Sequence, residues 1–161
     1  MAQLDADVTF ALTSPRFGSG QPMPRENTRL GENLSPFVQW TDPPPGTKSF
    51  ALILEDISAA ERPLRLWAIY DIPPKHRHLP DGRSSKAMTE ALPHGTNDFG
   101  HAAYDGPDPG TGEPPHTYRF RLFALDVPSL NLTDAPMAGR VLEAARAHAL
   151  AEAELTATYQ R

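Results

Sequence analysis

His116 and Tyr118 stand two residues apart in His116-Thr117-Tyr118-Arg119-Phe120, a spacing that on a strand turns an imidazole and a phenol to the same side. Such a pair sets a group that titrates near neutrality beside a hydroxyl. Serine chemistry would recruit Ser58 or Ser35 to His116, with Asp56 or Asp108 as the orienting acid. It needs a serine within about 3 Å of its base and an oxyanion hole. No Gly-x-Ser-x-Gly elbow is present, so a serine hydrolase is not expected. His76 and His78 are also two apart, yet Lys75 and Arg77 flank them and no third ligand is evident, which predicts a solvated loop and no metal site. The absence of cysteine removes disulfides, cysteine-ligated zinc, iron–sulfur clusters and thiol nucleophiles, and no cofactor is expected.

The elements that position these residues are set off by proline, which accounts for 18 of 161 residues, about twice the usual ~5%. Proline cannot donate to a sheet ladder and breaks helix interiors, so strands and helices belong in the proline-free windows. Val8, Phe10 and Leu12 alternate with Thr9, Ala11 and Thr13 as a half-buried strand, and residues 37–40 form a short second one. Residues 49–54 (Ser-Phe-Ala-Leu-Ile-Leu) are a continuous apolar run of strand length, predicted to be covered on both faces. Residues 64–72 and 116–126 read as central strands. In the 25-residue proline-free tail, Met137, Val141, Ala144, His148, Ala151, Leu155 and Tyr159 step by three or four. That spacing predicts an amphipathic helix starting after Gly139, with His148 on its buried stripe.

Strands first, a helix last and no βαβ alternation predict one mostly β domain over residues 1–161, an antiparallel β-sandwich with a C-terminal helix. The long connection 73–115 is where a site is expected. Net charge is −5, from 15 Lys+Arg and 20 Asp+Glu, with no run of three basic residues; this argues against nucleic-acid binding. No apolar stretch approaches the 18 or so residues of a membrane span, and Met1-Ala2-Gln3-Leu4-Asp5 does not begin a signal peptide, so the chain reads as cytoplasmic.

Several separated segments together resemble the phosphatidylethanolamine-binding protein family, also known as Raf kinase inhibitor proteins, in its bacterial branch. They are Leu12-Thr13-Ser14-Pro15, Gly31-Glu32-Asn33-Leu34-Ser35-Pro36, residues 45–52 and Trp67-Ala68-Ile69-Tyr70-Asp71-Ile72-Pro73. Asn97-Asp98-Phe99-Gly100, Tyr104-Asp105-Gly106-Pro107 and residues 116–120 follow in the family's order, and residues 148–151 look like its closing helix. The resemblance implies a large central antiparallel sheet on a smaller one, with a small anion pocket at one end. It also implies a non-catalytic protein that binds a phosphate head group or other small anion, regulates a partner such as a kinase or protease, and forms a homodimer. An inhibitor or scaffold acting through protein contacts alone, its pocket vestigial, is the alternative.

Carried over residue by residue, the resemblance places Asp56, Ser58, Leu66, Trp67, Tyr104, Pro107, Asp108, His116 and Tyr118 at the pocket. Three of these depart from the family's pattern. Ser58 stands where a second acid is usual, Leu66 where a histidine precedes the strand tryptophan, and Asp108 where a small neutral residue lies close to the anion. A carboxylate near phosphate repels it by about 4 kcal/mol at ~4 Å and effective dielectric ~20. An intact fold with weak or altered anion binding is therefore expected. Asn33, Ser35 and Pro36 are expected to shape a turn.

Overall fold

The computed structural model describes residues 10–59 and 61–161, so Val8 and Thr9 of the first predicted strand and Ala60 lie outside the described residues. In chain order the elements are β1 (Ala11–Thr13), β2 (Gln21–Pro22), β3 (Val38–Thr41), β4 (Ser49–Asp56), β5 (Leu64–Ile72), β6 (His78–Leu79), α1 (Gly82–Glu90, interrupted at Ser85), β7 (His116–Leu125), α2 (Ala138–Ala147) and β8 (Ala149–Tyr159). The long strands form a five-stranded sheet ordered β2-β8-β7-β4-β5, and the short ones a three-stranded sheet ordered β1-β3-β6. Neighbours are antiparallel except β2, which runs parallel to β8.

Strand β4 is the spine, paired with β5 on one side and β7 on the other, and all eight of its residues are buried. Its alternating side chains serve two cores, as expected for an apolar run covered on both faces. Phe50, Leu52 and Leu54 meet Leu12, Val38 and Trp40 of the small sheet, with the Trp40 and Phe50 ring centroids 5.2 Å apart. Ala51 and Ile53 face the other way, onto Val141, Leu142 and Ala145 of α2. No helix among the described residues is long and apolar enough to cross a membrane.

The tail differs from its sequence reading. The helix begins at Ala138, ahead of Gly139, and stops at Ala147; residues 149–159, predicted to continue it, are strand β8. The residues from Ala149 onward carry both periods. Ala153, Leu155 and Ala157 alternate with Glu152, Glu154, Thr156 and Thr158, and they are buried when β8 pairs along the whole edge of β7. A strand there satisfies the ladder groups of β7, which a helix would leave open. His148 is consequently not in a core: it caps the helix end, exposed, with its Nδ1 3.1 Å from Asp126 Oδ1.

Candidate functional site

Antiparallel pairing sets the end of β4 beside the start of β7, and Asp56 is in register with Tyr118. The β7 pleat turns His116 and Tyr118 to one side, rings 6.2 Å apart and 27° from parallel. Asp56 Oδ2 lies 2.8 Å from His116 Nδ1, while its Oδ1 accepts the Ser58 N–H at 2.9 Å. The Ser58 hydroxyl accepts the Thr117 N–H at 2.8 Å, tying the chain after β4 to β7. Ser58 is thus spent on shaping the turn, and it is not at the imidazole.

The second imidazole nitrogen has a partner that the sequence reading did not single out. Glu113 Oε1 lies 2.9 Å from His116 Nε2 and also accepts the Gly110 N–H at 3.1 Å. Ionised carboxylates only accept hydrogen bonds, so both contacts are made only when the ring carries both protons. Burial works against that charge, but hydrogen bonding and charge from Asp56, then from Glu113, outweigh it and raise the His116 pKa above its ordinary value. A carboxylate three residues before a strand histidine was the available signal for Glu113, and only the fold of the 107–115 loop gives it meaning.

Tyr118 is 1% exposed, and its hydroxyl has no hydrogen-bond partner among the described residues. Burial, followed by the charges of Asp56, Asp108 and Glu113, pushes its pKa above the ordinary tyrosine value. Asp108 itself is exposed, between the buried Pro107 and Pro109. It acts on the site through its field.

The loop carrying Pro107 and Asp108 is held by a buried polar cluster. Asn97 Nδ2 lies within 2.9 Å of Leu66 O and 2.8 Å of Asp105 Oδ2, and its Oδ1 accepts the Phe99 and His101 N–H groups at 2.9 and 3.0 Å. Asn33 donates to Asp105 Oδ1 at 3.1 Å and accepts the Gly106 N–H at 2.7 Å, so it joins two loops as well as shaping its own turn. Burial would raise the Asp105 pKa, but hydrogen bonds from His101, Asn97 and Asn33 hold it below the usual carboxylate value. Glycine is required at 106, where a Cβ would lie 2.0 Å from the Asn27 carbonyl oxygen.

The remaining predicted pocket residues share the core cluster of Tyr118 and make contacts of their own. Leu66 is buried in the inter-sheet core, and its carbonyl anchors Asn97 and the Asp105 N–H. Trp67 and Tyr104 meet edge to face at 5.2 Å and line a different cavity, whose lining includes none of Asp56, Ser58, Pro107, Asp108, His116 or Tyr118. The Tyr104 hydroxyl donates to Asn27 O at 2.6 Å. Of the nine candidates, the fold gathers Asp56, Ser58, His116 and Tyr118, sets Pro107 and Asp108 in the neighbouring loop, and packs Leu66, Trp67 and Tyr104 in the same core cluster as Tyr118, with Tyr104 near enough to Tyr118 to interact electrostatically.

This arrangement of sheets and loops has counterparts. A family model described as phosphatidylethanolamine-binding protein matches residues 13–160. The chain belongs to the phosphatidylethanolamine-binding protein family. It is 36% identical over 148 residues to a UPF0098 protein of Aquifex aeolicus, covering 92% of this chain and 86% of that one. It is 34% identical over 132 residues to the UPF0098 protein YbhB of Escherichia coli, covering 80% and 83%. Among solved structures, Escherichia coli YbcL, described as a new member of the mammalian family, superposes with TM-score 0.86 at 29% identity, covering 95% of this chain and 99% of the other. A homologue from Chlamydia trachomatis gives TM-score 0.84 at 30% identity, covering 95% and 98%. In this family member the family-like segments 31–36, 97–100 and 104–107 prove to be one structural unit, joined through the Asn33–Asn97–Asp105 cluster.

Proposed function

We propose that the protein is a non-catalytic binder of a small oxyanion, a phosphate head group or free phosphate, at His116 and Tyr118, in competition with its own Glu113. The observation that carries this reading is the buried Tyr118 hydroxyl, left without a partner among the described residues beside an imidazole whose outer N–H is engaged by a half-exposed carboxylate. An unpaired buried hydroxyl costs about 1–3 kcal/mol, which a ligand oxygen accepting from it would recover. Glu113 Oε1, taking hydrogen bonds from His116 and Gly110, sits where such an anion would, and Asp56 holds the ring for either occupant. With Asp56, Asp108 and Glu113 around one imidazolium, affinity is weak. Occupancy would displace Glu113 and reshape the 107–115 loop, the surface offered to a regulated partner protein of the kinase or protease class.

Calorimetric titration with inorganic phosphate and with phosphoethanolamine at mildly acidic pH, in wild type and Tyr118→Phe, tests the reading. Phosphate binding to the wild type should weaken about five-fold in Tyr118→Phe, the worth of one hydrogen bond, while stability stays equal or rises. Phosphoethanolamine binding more tightly than phosphate would favour the head group as the natural source. Failure of both to bind the wild type would leave the alternative, a scaffold with a vestigial pocket sealed by Glu113.

A further inference from the structure

The cavity beside Trp67 has a volume of about 480 Å³, within the range of small-molecule pockets. It opens between the 31–35 loop, α1 and residues 102–104, with the buried β5 tryptophan at its floor. Three rings line it: Trp67, Tyr104 edge-on to Trp67 at 5.2 Å, and His94 at 6.3 Å from Trp67. Ala102 and Ala103 supply apolar surface. The His94 wall is held in place by backbone bonds to β5 on either side of it, from Tyr70 N–H to Pro93 O at 3.1 Å and from Gly95 N–H to Ala68 O at 2.9 Å.

This lining offers hydrogen bonds that no described residue takes. His94 Nδ1 lies 2.8 Å from Leu92 O, and a carbonyl only accepts, so Nδ1 carries the proton. Burial lowers the His94 pKa against that bond and the charge of Glu90, so at neutral pH the ring holds no second proton. Nε2 is therefore a lone-pair acceptor, without a partner among the described residues. Trp67 Nε1 and Thr89 Oγ1, on residues 0% and 4% exposed, are donors that likewise have no partner among the described residues. One ligand hydroxyl can use both kinds of group: its O–H donates to the imidazole, and its oxygen accepts from the indole or the threonine. Neither contact calls for a charge on the ligand. The two carboxylates of the lining are already engaged, Glu32 with Arg83 and Glu90 with a partner of its own. An ionic ligand would leave water for aromatic walls with no free counter-ion among the described lining residues, which costs far more than burying a hydrogen-bonded hydroxyl.

We propose that this cavity is a second ligand site, for a small uncharged aromatic molecule with one ring hydroxyl. The ring packs on Trp67, Tyr104 and His94, and the hydroxyl joins His94 Nε2 to Trp67 Nε1 or Thr89 Oγ1. Edge-to-face and offset contacts with three rings favour an aromatic over a saturated ring of the same size. The site does not rest on the oxyanion reading, because none of Asp56, His116 or Tyr118 lines it.

The probe is p-cresol, compared by calorimetry with 4-methylanisole, which keeps the ring and loses the O–H, and with 4-methylcyclohexanol, which keeps the hydroxyl and loses the aromatic ring. p-Cresol should bind, and each relative should bind about five-fold more weakly for the one contact it lacks. 4-Hydroxybenzoate and tyramine, which add a negative or a positive group to the same phenol, should also bind more weakly than p-cresol. His94→Phe retains a ring and removes the acceptor, so it should weaken p-cresol about five-fold and leave 4-methylanisole unchanged. By NMR, p-cresol should move the indole N–H resonance of Trp67 and leave in place that of Trp40, which lies in the inter-sheet core away from the lining. Ala103→Trp, a substitution at an exposed lining position, should abolish that shift without changing the urea midpoint. No p-cresol binding by the wild type, a Trp67 resonance unmoved at saturation, 4-methylanisole bound as tightly as p-cresol, or tighter binding of either charged phenol would each overturn the proposal.

Discussion

Replacing Glu113 with glutamine removes a charge and keeps the shape, and its consequences can be sized from the His116 contact. At 2.9 Å and an effective dielectric of ~20, the Glu113–His116 pair would be worth about 6 kcal/mol. That figure belongs to a screened interior, and the Glu113 side chain is 51% exposed. Exposed pairs are worth about 1 kcal/mol or less, so this is the value to use. Asp56, only 8% exposed in its side chain, keeps its own hold on Nδ1, and the His116 pKa therefore stays raised but falls towards its ordinary value. The same ~1 kcal/mol is what phosphate must overcome to take the seat, so its affinity for Glu113→Gln should rise about five-fold. Ring-proton NMR of His116 against pH reads the first quantity, and calorimetry with inorganic phosphate the second. A His116 midpoint unmoved by the substitution would mean that the contact is not made in solution. Phosphate binding that weakens would mean that Glu113 assists the anion, and the competitive reading would be wrong.

Three further outcomes follow from the same contacts. Because the folded pKa of His116 is raised, its contribution to stability is complete below the unfolded value of about 6.5 and is lost as pH rises through the folded value; urea midpoints should fall across that window in wild type and stay flatter in His116→Gln. Gly106→Ala would drive a Cβ to 2.0 Å from the Asn27 carbonyl oxygen, which lies on backbone and cannot swing aside, so a loss of about 3 kcal/mol or more is expected by urea denaturation. Asn97→Ala strips partners from the Asp105 carboxylate, the Leu66 carbonyl and two N–H groups at a position 1% exposed. It should cost about 3 kcal/mol and weaken phosphate binding through the displaced loop, measured by denaturation and calorimetry.

Much of the sheet was legible because its signals are local. The apolar run at 49–54 is short, rich in residues that favour strands and bounded by the Pro43–Pro45 turn, and it became the fully buried β4. The two-residue step from His116 to Tyr118 needed only the strand pleat to put both rings on one side. The order of family-like segments gave the fold and the neighbourhood of the site. Asp105 and Asn97 stood inside those segments, but their roles needed partners up to 72 residues away in sequence, as in the Asn33–Asp105 bond.

What the amino-acid sequence settled alone was therefore the pattern that any one element obeys: period two, period three to four, and the prolines that stop both. Tertiary structure decided between patterns and assigned partners. Residues 149–159 satisfy either period, and the open edge of β7 selected the strand because ladder groups must be paired. Nothing in the sequence singled out Glu113, and only the folded loop laid it on His116 Nε2. Trp67 and Tyr104 were placed at the anion pocket by resemblance, and the fold has them line a further cavity while Tyr104 stays near enough to Tyr118 for the two to interact. A pattern constrains which face a side chain occupies, whereas a site is a meeting of faces from distant segments, and only the packed chain fixes which faces meet.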